Sequence, residues 1–390
     1  MTTEAPRLVR DPVVMLCPYL PLERLHHFGP WKLMPLGSYQ GPWLSPEFET
    51  LARTYAAAFR DSIGGRIDNP ALLVSGEHGV DGALPSDVER QALQATIDLG
   101  FLSGNPGYRA ADEESDGWRS LTSDNTEVYV QPLTPSGHLA IGRGLIIRML
   151  SGGHRVDDSL VLGAPQELHV PWGATGDEDV MAAAYAVFRG THHDAQRANF
   201  ANRLRLAVNW LSKAWRNTPS IRWEDRIVLL KTGFEALTDT SKTHEEASWL
   251  RSLFERHLAE VPPELLDDLL WTTSESRSMS YTYGDPARTI AVTQLEHWFH
   301  EFGEARNAII HGAQSWPSTY LVDGPYKGLF VYVASRLLIE GIRVALAEFG
   351  YDRLWLNLAT RALSKAFSQG VTAASDGATA APEDEEQEGN

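Results

Sequence analysis

Phe302-Gly303-Glu304-Ala305-Arg306-Asn307-Ala308-Ile309-Ile310-His311-Gly312 reads as the C-terminal end of a long helix. Leu295, Phe299, Phe302, Arg306 and Ile309 recur at alternating spacings of four and three, so they fall along one stripe. Gly312 is placed to stop the helix, and the spacing predicts a helix from Ala287 to His311. At about 100° per residue, Asn307 and His311 lie about 40° apart, whereas Arg306 and His311 lie about 140° apart. A straight helix therefore sets Arg306 among apolar residues, where an unpaired guanidinium is costly. Three arrangements would resolve this. The helix distorts or ends near Gly312 and brings the groups together; the stripe is a subunit interface at which Arg306 serves the partner's site; or Arg306 is a structural residue paired with an acid such as Glu235.

The neighbouring segments share this texture. Leu204, Val208, Leu211 and Trp215 form one apolar stripe, and Ile227, Leu230, Phe234 and Leu237 form another within Glu224–Leu237. Further helices are expected at Asp177–Phe188, Trp249–Leu258, Pro263–Leu270, Leu329–Phe349 and Leu354–Phe367. Before residue 176 the pattern is mixed. Short apolar or alternating runs predict strands at Val13–Leu16, Leu72–Val74, Glu127–Val130, Leu139–Leu150 and Leu160–Leu162. Helices at Phe48–Asp61, opened by Ser45-Pro46, and from Ser86 to about Leu99 are interleaved with them. The expected fold class is α+β: a mixed α/β domain over 1–175, a helical domain over 176–370, and a disordered acidic tail over 371–390.

At 390 residues the chain is long for one core, which agrees with two domains. Cys17 is the sole cysteine, which excludes an intrachain disulfide and any cysteine-rich zinc site. No apolar run reaches the roughly 18 residues of a membrane helix, and residues 1–10 carry no apolar signal core. A cytoplasmic location is expected. The net charge of −17 argues against a protein that coats nucleic acid. The balance reverses locally: Arg197, Arg203, Arg205, Lys213, Arg216, Arg222, Arg226 and Lys231 face only Glu224 and Asp225, a local charge of +6. That run is either a candidate RNA-contacting surface or a solvated helix face.

The Arg306-Asn307…His311-Gly312 pattern resembles the R-N-x-x-x-H-G signature of the HEPN superfamily. The run Asp225–Leu237, ending Phe234-Glu235-Ala236-Leu237, loosely resembles a helix of the ApeA-like HEPN branch. The resemblance covers roughly residues 195–370 and implies an all-α HEPN-like bundle. It further implies metal-independent RNA cleavage, with Arg306, Asn307 and His311 as catalytic residues, no cofactor, and a homodimer joining two motifs. In such a toxin or anti-phage effector, the first domain would sense a phage-derived or cellular trigger. The residue chemistry agrees. Histidine exchanges protons near neutral pH, arginine clamps phosphate oxygens, and asparagine orients either by hydrogen bonding. Two alternatives stay open: a catalytically silent HEPN module binding RNA or a partner protein, and a metal-dependent hydrolase on the face carrying His297, His300 and Glu304.

Overall fold

The computed structural model describes residues 13–22, 24–41, 43, 46–57, 59, 65–67, 69–75, 85–104, 122–132, 176–216, 221–257, 275–281, 288–312 and 327–351. The chain divides into two units, Met1–Ile221 and Arg222–Asn390.

In the first unit, β1 (Val13–Cys17), β2 (His26–Phe28), β3 (Trp31–Pro35), β4 (Ala71–Ser75) and β5 (Tyr129–Pro132) form an antiparallel sheet. Its strand order is β2-β3-β4-β1-β5. β1 is apolar throughout because both its faces are covered. Val14 and Leu16 join Leu72 and Val74 on one face, against Ala52, Tyr55 and Ala56 of α1 (Pro46–Ala56). Met15 and Cys17 join Ala71, Leu73 and Leu33 on the other. That face packs on Leu93, Ile97 and Phe101 of α2 (Asp87–Gly104) and on Met181 and Tyr185 of α3 (Glu178–Arg189). Burying each large apolar side chain contributes about 1.5–3 kcal/mol.

β2 and β3 turn through Gly29-Pro30. Gly29 has φ +56°, and a Cβ there would meet the Tyr185 ring at 2.6 Å, so backbone and space both require glycine. α3 starts at the Asp177 N-cap, whose carboxylate accepts from the Val180 amide. α4 (Ala195–Ala214) lies on α2 and α3, with Leu204, Val208 and Leu211 wholly buried.

These contacts move the domain boundary. α3 and α4 were expected to open the helical domain at 176, but they complete the sheet unit, and the division falls at 221/222. Their periodicity identifies helices without saying which surface they cover. The strands expected at Val13–Leu16, Leu72–Val74 and Glu127–Val130 correspond to β1, β4 and β5. β2 and β3 were not anticipated. They are short, and only the alternate burial of Trp31, Leu33 and Pro35 betrays β3. Leu139–Leu150 and Leu160–Leu162 lie outside the described residues.

The second unit contains α5 (Trp223–Thr238), α6 (Thr243–His257), the antiparallel hairpin β6 (Glu275–Tyr281) and β7 (Arg288–Thr293), α7 (Gln294–Ile310) and α8 (Lys327–Ala347). α5 and α6 each pack on α7, α8 and one another. The core joins Ile227, Leu230, Phe234 and Leu237 to Leu250, Leu253, Trp298, Phe299, Phe302, Leu338 and Ile342. Phe234 sits edge-on to Trp298, Phe299 and Phe302, at 4.9 Å from Phe299.

The helix expected from Ala287 begins seven residues later, at Gln294. The β-branched run Thr289-Ile290-Ala291-Val292-Thr293 pairs with β6, and Thr293 then caps the helix. Its side chain accepts from the Glu296 amide while Glu296 accepts from the Thr293 amide, a closed capping box. The helices expected at Pro263–Leu270 and Leu354–Phe367, and the tail 371–390, lie outside the described residues. No helix among the described residues is long and apolar enough to cross a membrane. The fold class is mixed α+β, as expected.

Candidate active site

α7 carries the Arg306-Asn307…His311 motif, and its inner stripe is locked in place. Leu295, Trp298, Phe299 and Phe302 are buried. Gly303 is pressed against Thr243 of α6 so closely that a Cβ would collide with the threonine methyl. One turn on, Arg306 is half-buried, whereas Asn307 and His311 are exposed. The Arg306 Nε is enclosed and makes no hydrogen bond, yet its Nη1–H donates to Asn307 Oδ1 at 3.1 Å near the surface. The guanidinium thus spans the boundary, one edge inward and one outward.

The helix stops at the motif's histidine. His311 is the C-cap at φ −87°, ψ 4°, and its amide donates to Asn307 O at 3.0 Å. Gly312 follows at φ +70°, and a Cβ there would meet nothing within 4 Å. Glycine is required for its backbone conformation, not for space. The helix ends at the point expected, and within the motif Arg306 is joined to Asn307.

The helices packed against α7 hold a buried ionic cluster. Lys231 of α5 is 2% exposed, and its Nζ donates to Glu246 Oε1 of α6 at 2.7 Å and to Glu235 Oε1 at 3.2 Å. Glu246 is wholly buried. Burial pushes its carboxyl up to about 7, with Lys231 and Arg306 pulling it down and Glu235 pushing it up. Glu235 was one acid with which Arg306 could have paired. It is engaged by Lys231. Sequence reading missed Glu246, although its signal is present: it sits on the same α6 stripe as Leu250 and Leu253. A charge on an apolar stripe calls for a buried partner.

The basic run is divided between the two units. Arg197, Arg203, Arg205, Lys213 and Arg216 belong to the first unit, and Arg222, Arg226 and Lys231 to the second. Lys231, expected to contact RNA, is instead consumed by the buried cluster. Arg203 lies 5.5 Å over the Phe200 ring, and Lys213 lies 4.0 Å over Trp210. Arg205 reaches Gln91 and Asn202, and Arg222 sits 3.7 Å from Asp225. Most of these residues thus have local partners of their own.

The face read as a possible metal site resolves differently. His297 Nδ1 lies 3.8 Å from Glu301 Oε1, while Glu304 is exposed. Among the described residues, no group of three or more His, Cys, Asp or Glu side chains is placed to hold a metal ion.

What the arrangement offers chemically is a fixed guanidinium edge, a carboxamide bonded to it and an accessible imidazole, all at one helix end. Comparison with family models, with curated proteins and with solved structures returned no match.

Proposed function

We propose that the chain is a metal-independent endoribonuclease of the HEPN type. The observation that carries this reading is the end of α7: the outer edge of Arg306 bonded to Asn307, with Asn307 and His311 both exposed. In this mechanism the RNA 2′-oxygen attacks the adjacent phosphorus and the bond to the 5′-oxygen breaks. The products are a 2′,3′-cyclic phosphate and a 5′-hydroxyl. His311 takes the 2′-hydroxyl proton or supplies one to the leaving oxygen. Arg306 holds the phosphate oxygens as negative charge gathers on them, and Asn307 orients that edge. The second unit would act as a homodimer that sets two motifs side by side. The first unit would sense the trigger that releases a toxin or anti-phage activity.

The test is cleavage of labelled RNA in EDTA by the parent, Arg306→Ala and His311→Ala. The expected result is cyclic-phosphate ends from the parent and a loss of about 10²–10³-fold in each variant. Cleavage that survives both substitutions would place the active site elsewhere. Loss of parent activity in EDTA would return the reaction to metal chemistry.

A further inference from the structure

α4 lies wholly within the first unit, and its two sides differ in kind. Over Ala195–Ala214 it carries Arg197, Arg203, Arg205 and Lys213 and no acid, in a chain whose net charge is −17. Leu204, Val208 and Leu211 are turned inward and wholly buried. Asn199, Arg203, Leu206, Trp210 and Lys213 recur at spacings of four and three, so they share a stripe about 80° wide and about 21 Å long. That stripe is the outer one: Asn199, Leu206 and Lys213 are exposed, and Arg203 and Trp210 are half-buried. A face that meets only water reads as polar throughout, whereas this one keeps an indole and a leucine that is 38% exposed. Its cations are drawn onto rings. Lys213 Nζ lies 4.0 Å over Trp210, and the Arg203 guanidinium lies 5.5 Å over the half-buried Phe200.

We propose that the outer stripe of α4 binds single-stranded RNA, with Trp210 stacking a base and Arg203 and Lys213 meeting phosphates. Two features choose this occupant. An acid-free row of cations suits a polyanion. Flat rings set among those cations suit unpaired bases, which a duplex hides and an acidic polypeptide lacks. A base stacked on an aromatic ring is held more strongly than an exposed ammonium over the same ring. RNA therefore displaces Lys213 from Trp210 and leaves its ammonium for the phosphate beside that base. Every base has a π-face, so the grip is indifferent to sequence. The inference goes beyond the ribonuclease reading, because it gives the first unit an RNA-holding role that cleavage by the second does not require.

The test uses the full-length chain and a fluorescently labelled, single-stranded 2′-O-methyl RNA. That probe has no 2′-hydroxyl to attack its own phosphates, so binding is read by anisotropy whether or not the protein cuts RNA. Trp210→Ala is expected to raise Kd about tenfold or more, while Trp210→Phe, which keeps a ring, stays within about threefold of the parent. The double variant Arg203→Gln/Lys213→Gln should also weaken binding. It should make the slope of log K against log salt shallower by about 1.4, about 0.7 for each phosphate no longer neutralised. Each variant is first shown to melt cooperatively. If Trp210→Ala does not, the double variant decides, since it changes no buried side chain.

A parent that does not bind the probe overturns the proposal. So does a folded Trp210→Ala that binds as tightly as the parent, or a salt slope unchanged in the double variant. Double-stranded RNA or poly-glutamate bound as tightly as the single strand would show a surface for charge alone and would overturn it too. Binding at α4 by a parent that cleaves no ordinary RNA supports the proposal and counts against the ribonuclease reading alone.

Discussion

Asp98 in the first unit and Glu246 in the second are both buried carboxylates, and they are held in opposite ways. Asp98 is 1% exposed and its hydrogen-bond donors are neutral, although the Arg216 charge also acts on it: its Oδ1 accepts from Gln94 Nε2 at 2.8 Å and from Thr126 Oγ1 at 2.5 Å. The same hydrogen-bond net ties the loop before β5 to its neighbours. The Val128 amide donates to Gln94 Oε1, Asn125 Nδ2 donates to Tyr19 O, and Ser123 Oγ donates to Ser212 O. Glu246 sits instead among charges, with one oxygen left open. The difference teaches how to separate two uses of a buried acid. Where neutral donors complete the valences, the group holds a loop in place. Where the partner is an ion, the group depends on that opposite charge staying in place.

The largest expected effect tests the charged region. Lys231→Met strands the Glu246 carboxylate, and the cost at pH 8 should be about 3–5 kcal/mol in denaturant unfolding. Thr126→Val removes one neutral donor from Asp98 and should cost about 1–3 kcal/mol. Equal costs would mean that the two acids are held alike and would break the comparison.

Next comes pH. Burial pushes the Asp98 carboxyl up to about 6 from 3.8 and that of Glu246 up to about 7 from 4.5. Both are raised on folding, so the folded state binds more protons than the unfolded one. Each contribution is fully present below the unfolded value and is lost as pH rises through the folded one. The loss spans about pH 4–6 for Asp98 and about pH 4.5–7 for Glu246, each about 3 kcal/mol in full. Asp98→Asn and Glu246→Gln should each flatten the decline over their own window. A decline unchanged by Asp98→Asn would show that this acid is not the titrating group.

The smallest effect lies at the helix end. Gly312→Ala meets no steric obstacle but must adopt φ +70°, a cost of about 1 kcal/mol. A thermal unfolding curve shared with the parent would mean that the end of α7 rearranges freely. The exposed part of the site would then be less ordered than the buried Lys231–Glu246 pair.

Local patterns were readable wherever the cause was local. β1 is a run of five apolar residues, the Asp177 cap precedes α3, and Gly312 ends α7, each set by side-chain chemistry within a few residues. The stripe of α7 was also visible, including the intrusion of Arg306 into it. Less visible was the start of that helix, because the β-branched run before Thr293 satisfies helical spacing yet finds a strand partner in β6.

Charge was readable in total and misleading in place. Lys231 belongs to a basic run in the sequence, but in the structure it is buried between two acids. α3 and α4 were correctly helices and were assigned to the wrong unit, because amphipathicity says that a face is covered and never by what. The sequence by itself determined the helix bearing Arg306, Asn307 and His311 and the point at which it stops. Those depend on periodicity and backbone preference within one segment. That Lys231 is spent on Glu246 came only from the tertiary packing of α5 on α6. Their contact joins two different helices, and no local preference encodes which buried charge another will meet.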